Sequence, residues 1–326
     1  MNQFRVTRLA SEFWDQHHHI SEDPDFWMAH PLCRKAINRR VSGNESVYPL
    51  DYLYVCAGRP VFRSVLSLGC GTGRLERAMA RLGIASSIDA VDGSVSSLDI
   101  ARAKAVEEGL SSIRYQLADL NHIRLPCGAY DAVVFHHSLH HVGSVEKLLD
   151  RVRGSLSSTG VLFLDEWTGP ARSEWTTREL AAADSLFQAV PAAWRRWPRL
   201  RAPVELNDPS EAIRSSAIRP AVHRIFSVVQ ERPYGGHLLS VLLPQLERSR
   251  IPTEKLDELV SIWLSLEDED LVRGSGRSYH TAILATPRKG AALVGGRAIG
   301  LAIRAGLAMR YRVVPILRGA QRIDQR

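Results

Sequence analysis

Short apolar runs alternate with stretches of helical periodicity between residues 63 and 167. Alternation of this kind predicts parallel strands whose faces are covered by helices. The predicted strands are the five segments 63–68, 87–91, 113–116, 130–135 and 161–164. The first helical stretch repeats apolar residues at i, i+3, i+4 and i+7, through Leu75, Ala78, Met79 and Leu82. We therefore expect an α/β fold with a doubly wound, Rossmann-like sheet.

The pattern changes after Trp167. Residues 170–220 predict helices and loops, and Asp208-Pro-Ser-Glu211 has the form of a helix start, with Asp208 as the N-cap and proline in the first turn. The remaining pattern predicts two strands at 225–229 and 278–285, and two helices at 236–248 and 253–268. The expected sheet therefore has seven strands, with helical insertions that cap it.

The composition is that of an ordinary globular protein of 326 residues, of which 45% are hydrophobic and 24% charged. It excludes a disordered chain and a disulfide-stapled miniprotein. The four cysteines lie far apart with no CxxC pair, so we expect reduced thiols in a cytoplasmic protein. We expect neither a secretory signal nor a spanning helix, because the sequence has no apolar h-region and no long uncharged apolar run.

The net charge of +7 is concentrated in residues 288–326, which carry nine basic residues against the single acid Asp324. The rest of the chain is close to neutral, so we expect no nucleic-acid partner. An apolar line through Ile299, Ile303 and Leu307 predicts peripheral contact of this basic tail with an anionic membrane. Because glycines in the tail weaken its helix propensity, a disordered basic tail is the alternative.

The first predicted strand ends in a glycine loop, Gly69-Cys-Gly-Thr-Gly73, and a helix follows it. Such a loop lets the backbone approach a ligand at the N-terminus of the helix. The dinucleotide fingerprint GxGxxG requires a third glycine, and its place is taken by Arg74 or by Glu76, depending on the register. The sequence therefore argues against an NAD-linked enzyme.

Two carboxylates follow the next two predicted strands. Asp92 lies 19 residues past Gly73, where a carboxylate can accept hydrogen bonds from both hydroxyls of a ribose. Asp119 follows the third strand, where it can face an adenine amino group. Together with the glycine loop, these acids predict a site for a cofactor that contains adenosine.

These motifs resemble those of the class I S-adenosylmethionine (SAM)-dependent methyltransferases over about residues 60–170, and more weakly up to the final strand. The segments that carry the resemblance are VLSLGCGTGRLE (65–76), AVDGS (90–94), ADL (118–120), YDAVVFHHSLHHV (130–142) and GVLFLDEWTGP (160–170). The family usually has an acidic residue two positions before the first loop glycine, where it helps to hold the methionine amino group. Here that residue is Ser67. The resemblance implies SAM as the cofactor and methyl transfer as the activity.

The resemblance also implies a set of site residues. The expected cofactor contacts are Gly69, Cys70, Gly71, Gly73, Asp92, Gly93, Asp119, Leu120 and His136. A hydroxyl nucleophile needs a general base, and the candidate catalytic residues are His137, His140, His141 and Glu166. Each has a structural alternative, because these histidines can pack the loop and Glu166 can cap a turn. His137 and His141 also have the i, i+4 spacing of metal ligands, but no third ligand is identifiable, so we expect no metal site.

We expect four regions along the chain. They are an N-terminal helical cap (1–59), a SAM-binding core (60–167), a cap with substrate insertions and the last two strands (168–287), and the basic tail (288–326).

The segments FWDQ (13–16), DFWMAHPL (25–32) and YPLDYL (48–53) resemble methyltransferases of bacterial surface-glycan pathways, which implies O-methylation of a sugar or a lipid-linked glycan. Trp194 and Trp197, with their neighbouring arginines, are candidates for holding such an acceptor. The alternatives are a methyltransferase for a small metabolite or natural product, and a SAM-binding scaffold without activity.

Overall fold

The computed structural model describes residues 26–59, 61–203, 208–274 and 278–288. Within these ranges seven strands form one sheet in the order β3-β2-β1-β4-β5-β7-β6. The strands are β1 (Val65–Leu68), β2 (Ile88–Asp92), β3 (Ile113–Leu117), β4 (Tyr130–His136), β5 (Leu156–Trp167), β6 (Phe226–Gly235) and β7 (His280–Pro287). The first five strands are parallel, while β7 is antiparallel to both β5 and β6. The prediction of a seven-stranded, doubly wound α/β fold is confirmed.

Helices cover both faces of this sheet. In the described ranges they are α1 (Pro31–Ser42), α2 (Pro49–Cys56), α3 (Arg74–Arg81), α4 (Val95–Glu107), α5 (Val145–Ser155), α6 (Thr177–Ala189), α7 (Ile218–Ile225), α8 (Leu239–Leu242) and α9 (Thr253–Val272). Ser94 caps α4 by accepting a hydrogen bond from the backbone N–H of Ser97 at 3.1 Å. Thr176 caps α6 in the same way through the N–H of Glu179.

Alternation along the strands produces two hydrophobic cores, one on each face of the sheet. Val65 packs in one core with Trp27 of the N-terminal segment, and its neighbour Leu66 packs in the other with Leu148 of α5. Because both faces are covered, the central strands are apolar on both sides, as parallel strands usually are. The β6 and β7 strands come from the segment 168–287 and complete the same sheet.

Two helix predictions in this segment are wrong. No helix begins at Asp208; its carboxylate accepts hydrogen bonds from the N–H and Oγ of Ser210 in a turn, and Ala212 has a left-handed φ of 48° that interrupts any helix. The helix expected over 236–248 is limited to α8 and a 3-10 turn at Leu243–Gln245. Pro244 lacks the N–H that a longer helix would need.

The basic tail from Lys289 onward and residues 1–25 lie outside the described residues, so the membrane contact of the tail stays a prediction. The boundaries of the four expected regions likewise stay predictions. Among the described residues, no helix is both long and apolar enough to cross a bilayer.

Candidate active site

The glycine loop joins the carboxyl end of β1 to the first turn of α3. Gly69, Gly71 and Gly73 have φ values of 76°, 52° and 73°, a left-handed backbone that side chains disfavour. A Cβ at Gly69 would collide with Ser138, and one at Gly73 with Tyr115. The sequence therefore needs glycine here, and the loop lies open to a ligand at the N-terminus of α3.

Asp92 connects the end of β2 to this loop. Its Oδ2 accepts a hydrogen bond from the N–H of Gly71 at 2.7 Å, and its Oδ1 accepts one from the N–H of Ser94 at 2.9 Å. Burial raises the pKa of Asp92, and the N–H groups partly offset that effect. Gly93, which was also expected to contact the cofactor, lies between Asp92 and Ser94 in the sequence.

Asp119 lies beyond the same edge of the sheet. The N–H of Ala118 donates to the carbonyl oxygen of Asp92 at 3.0 Å, so Asp119 and Leu120 follow directly after the end of β3. The Asp119 carboxylate accepts a hydrogen bond from the N–H of Asn121 at 2.9 Å and faces the ring of His122. The sheet thus brings both acids and the glycine loop to one edge.

Cys70 is part of the loop but is not an activated thiol. Burial raises its pKa well above the ordinary value, so the group is protonated at neutral pH. Its Sγ lies 3.8 Å from the carbonyl oxygen of Gly71. Cys70 therefore contributes shape to the loop and no nucleophile.

Glu76 is a buried acid beside the loop that sequence reasoning missed. Ser67 donates a hydrogen bond to its Oε1 at 2.5 Å, while its Oε2 is buried and has no hydrogen-bond partner among the described residues. Burial raises the pKa of Glu76 to about 7. The family's usual acid is therefore absent at position 67, but a carboxylate from α3 contacts the serine that replaces it. The signal was present in the sequence, since Glu76 lies one turn into the helix that follows the loop.

The four histidines after β4 divide into two pairs with different surroundings. The first pair is His136 and His137, whose rings are 4.8 Å apart. His136 Nε2 lies 3.7 Å from Oδ2 of Asp165, and Tyr234 donates to the other oxygen of that carboxylate at 2.6 Å. Burial lowers the pKa of His136 to about 4 and also lowers that of His137. Both rings are therefore neutral at pH 7.

His137 has an unusual backbone. Its φ is 53°, in the left-handed region, although it is not a glycine. Its N–H donates to the carbonyl oxygen of Asp165 at 2.8 Å, which holds this turn against β5.

The second pair, His140 and His141, is surrounded by carboxylates. His140 Nδ1 lies 2.8 Å from Oε2 of Glu166, and His141 Nδ1 lies 3.3 Å from Oδ2 of Asp208. Burial opposes a charge on His140, but the carboxylate of Glu166 dominates and raises its pKa to about 9. His140 is therefore protonated at neutral pH and is not a base in this state.

Glu166 anchors the loop that carries these histidines. One of its oxygens accepts hydrogen bonds from the N–H groups of Ser138 and Leu139, both at 2.6 Å, and the other contacts His140. Its side chain is 0% exposed, so the geometry is that of the turn cap considered among the alternatives.

An aromatic cluster lies beside His137 and was not expected from the sequence. His280 on β7 lies 5.8 Å from the His137 ring and stacks on Tyr234 at 5.5 Å. Trp27 and Trp167 lie 5.2 and 5.1 Å from His280. Both ring nitrogens of His280 are buried without a hydrogen-bond partner in the described ranges, and burial lowers its pKa well below the ordinary value.

A cavity of about 570 Å³ opens next to this cluster, past the end of β5 and the start of β7. Tyr279 lines it, as do the acids Glu174 and Glu179, Arg219 and His223. No residue of the glycine loop lines it, so it is separate from that loop.

The sheet order, the glycine loop and the acid at the end of β2 together define a Rossmann-like cofactor-binding fold of the methyltransferase type. A family model described as a methyltransferase domain matches residues 66–164. A ubiquinone biosynthesis O-methyltransferase of Haemophilus ducreyi is 28% identical over 161 residues, which are 48% of this chain and 66% of that protein. Its counterpart in Sodalis glossinidius is 34% identical over 157 residues, or 48% of this chain and 61% of that one.

Among solved structures, phosphoethanolamine N-methyltransferase 1 of Haemonchus contortus has a TM-score of 0.51 at 12% identity. The match covers 94% of this chain and 54% of that one, and at this identity it shows the fold alone. The chain spans somewhat less than two thirds of the length of the two ubiquinone-pathway relatives. Residues 66–164 therefore form a methyltransferase domain of the SAM-dependent kind, and its cofactor is SAM.

Proposed function

We propose that this protein methylates a hydroxyl group of a small organic acceptor, with His137 as the general base. The proposal rests on the environment of His137. Its imidazole is neutral and lies beyond the carboxyl end of β4, and its backbone has a left-handed conformation. Non-glycine residues keep such a conformation only where the surrounding structure enforces it, and they cluster at functional sites.

Bound SAM supplies an electrophilic methyl group on a sulfonium sulfur. In the proposed reaction the acceptor oxygen bonds to the methyl carbon as the carbon–sulfur bond breaks, which leaves S-adenosylhomocysteine. The proton of the hydroxyl passes to the imidazole of His137, whose lowered pKa leaves a nitrogen lone pair available at pH 7. Because the pKa of His140 is about 9, that residue already holds its proton and is a poorer candidate.

We further propose that Asp92 accepts hydrogen bonds from the ribose hydroxyls and that Asp119 faces the adenine. Glu76 would take the role that the family assigns to an acid at position 67, which is to bind the methionine amino group. The support for this role is the unpartnered Oε2 of Glu76, because a buried carboxylate oxygen is costly without a donor and an ammonium group is a strong one.

For the acceptor, the aromatic cluster favours a planar, phenol-like molecule over a glycan. Neither ring nitrogen of His280 has a hydrogen-bond partner among the described residues. His280 can therefore hydrogen-bond to a second polar group of the acceptor without breaking such a bond. The O-methyltransferase names of the ubiquinone-pathway relatives agree with a hydroxyl acceptor. In the segment considered for sugar binding, the Arg201 guanidinium lies 3.6 Å from the centre of the Trp197 ring and covers one of the two faces on which a sugar could stack.

The test is a transfer assay with the full chain, SAM carrying a labelled methyl group, and panels of phenols, catechols, amines and glycans. We expect label in the phenolic panel, and a loss of kcat of about 10²–10⁴-fold in His137→Gln. S-adenosylhomocysteine affinity, measured by calorimetry, should be unchanged in that variant.

The matched control is His223→Gln, an exposed histidine paired with Glu231 at 2.8 Å. Transfer only to amines or glycans, or wild-type turnover in His137→Gln, would contradict the proposal. Tight cofactor binding without transfer to any panel would support the scaffold alternative.

A further inference from the structure

His140, His141 and Glu211 bring three potential metal ligands to one point. Nε2 of His140 lies 3.9 Å from Oε2 of Glu211, and Nε2 of His141 lies 3.8 Å from the same oxygen. One ligand atom from each of the three residues lies within 4.8 Å of the others. Ligands on a tetrahedral ion with bonds of about 2.1 Å are about 3.4 Å apart, so small side-chain rotations would bring these atoms into coordination range.

Both imidazoles are already oriented for this geometry. His140 Nδ1 is held by Glu166 at 2.8 Å, and His141 Nδ1 is held by Ser210 Oγ at 3.1 Å and by Asp208. In each ring the Nδ1 edge is therefore occupied and the Nε2 edge faces Glu211. Histidines that bind metals typically have this arrangement, with the second nitrogen hydrogen-bonded to a carboxylate or another acceptor.

The charges around the cluster also favour a cation. Three carboxylates, those of Glu166, Asp208 and Glu211, surround two imidazoles. Glu166 and Asp208 are 0% exposed, so water does not screen their charge. Carboxylates therefore outnumber imidazoles in the cluster, and such a set of side chains attracts a cation.

Glu211 itself is held in place by the strained turn described above. The next residue, Ala212, is buried with a φ of 48°, and the N–H of Ile213 donates to the carbonyl oxygen of His140 at 3.2 Å. This bond fixes the turn that carries Glu211 against the histidine loop.

We propose that His140, His141 and Glu211 bind one divalent transition-metal cation such as Zn²⁺ or Fe²⁺. Two imidazoles and one carboxylate are a donor set that selects these ions over Mg²⁺ and Ca²⁺. Three protein ligands leave a coordination position open, and the ion connects the turn at 208–213 to the loop after β4. This site does not depend on the proposed acceptor or on the role of His137.

The experiment uses the full chain without an affinity tag, stripped of metal with a chelator and then dialysed. Co²⁺ is titrated in as a spectroscopic probe, and Zn²⁺ is used in calorimetry and in competition with Co²⁺. We expect one equivalent of metal per chain, a visible Co²⁺ absorption spectrum, and a rise in thermal midpoint with Zn²⁺. Glu211→Gln and His141→Gln should each weaken binding at least tenfold, with circular dichroism of the stripped protein unchanged.

Two control variants separate this site from other histidines. His223→Gln alters an exposed histidine–carboxylate pair outside the cluster and should bind metal like wild type. The substitution of all three of His17, His18 and His19 by glutamine should also leave binding intact. The proposal is wrong if wild type binds less than one equivalent, if Glu211→Gln binds normally, or if only the variant at 17–19 loses the metal. It is equally wrong if the metal is lost only in His137→Gln, because the ion would then occupy the other triad, His136, His137 and Asp165.

Discussion

Replacing Glu76 by glutamine should make the protein more stable and its cofactor binding weaker. Burial raises the pKa of Glu76 from 4.5 to about 7, and each pKa unit corresponds to about 1.4 kcal/mol. Holding this carboxylate ionised in the cofactor-free protein therefore costs about 3 kcal/mol above pH 7. Because the pKa of Glu76 is higher in the folded state than in the unfolded state, this group contributes most to stability below pH 4.5. That contribution is lost as the pH rises through about 7.

Glu76→Gln removes the loss of stability that ionised Glu76 causes, because an amide does not ionise. We expect its free energy of unfolding at pH 8, from denaturant titration, to exceed that of wild type by up to about 3 kcal/mol. The difference should shrink towards pH 5, where wild-type Glu76 is protonated.

Cofactor affinity should change in the opposite direction, because an amide cannot pair with the methionine ammonium group. Loss of a charge-assisted hydrogen bond costs about 1.5–3 kcal/mol, or roughly 10–150-fold in Kd. In wild type, S-adenosylhomocysteine affinity should rise with pH up to about 7, and Glu76→Gln should abolish that dependence. Glu107→Gln, an exposed acid at the end of α4, is the control and should change neither quantity. The reasoning fails if Glu76→Gln is no more stable at pH 8 and binds S-adenosylhomocysteine as wild type does.

Three further substitutions probe the same edge of the sheet. Ser67→Ala removes the hydrogen bond that lowers the pKa of Glu76, so the midpoint of the pH-dependent cofactor affinity should move to higher pH in calorimetry. Asp92→Asn should weaken S-adenosylhomocysteine binding about 10–100-fold by calorimetry, and an equal affinity would remove Asp92 from the ribose site. Tyr234→Phe leaves Asp165 without its 2.6 Å buried donor and should cost about 1–3 kcal/mol in denaturant unfolding, whereas no loss would mean that water replaces the hydroxyl.

The sheet, and the meeting of the glycine loop and Asp92 at one edge of it, could be predicted because their signals are local. Each strand of the core is a short apolar run; Gly69–Gly73 directly follow the first strand, and Asp92 is the last residue of the second. The carboxyl ends of parallel strands meet at one edge, so the order of the chain already determines which residues converge. The same logic placed the histidines after β4 and Glu166 at the end of β5 near one another.

The partners of these histidines could not be predicted, because they come from distant segments with no regular pattern. Asp208 and Glu211 lie in a turn about 70 residues past His141. Their sequence fits a helix start equally well, and the left-handed Ala212 decides against it. The position of His280 could not be predicted for the same reason. It begins a distant antiparallel strand, whose register with Trp167 depends on tertiary packing.

Alternation along β5 explains why one histidine motif contains two kinds of imidazole. Asp165 and Glu166 are consecutive, so their side chains leave opposite faces of the sheet. Burial and the neighbouring His137 lower the pKa of His136 to about 4 although Asp165 lies nearby, whereas Glu166 lies against His140 and raises its pKa to about 9. Groups whose surroundings separate their pKa values in this way can take different tasks in one site. Accepting a proton suits the pair on the aromatic side, and charge pairing or metal binding suits the pair on the carboxylate side.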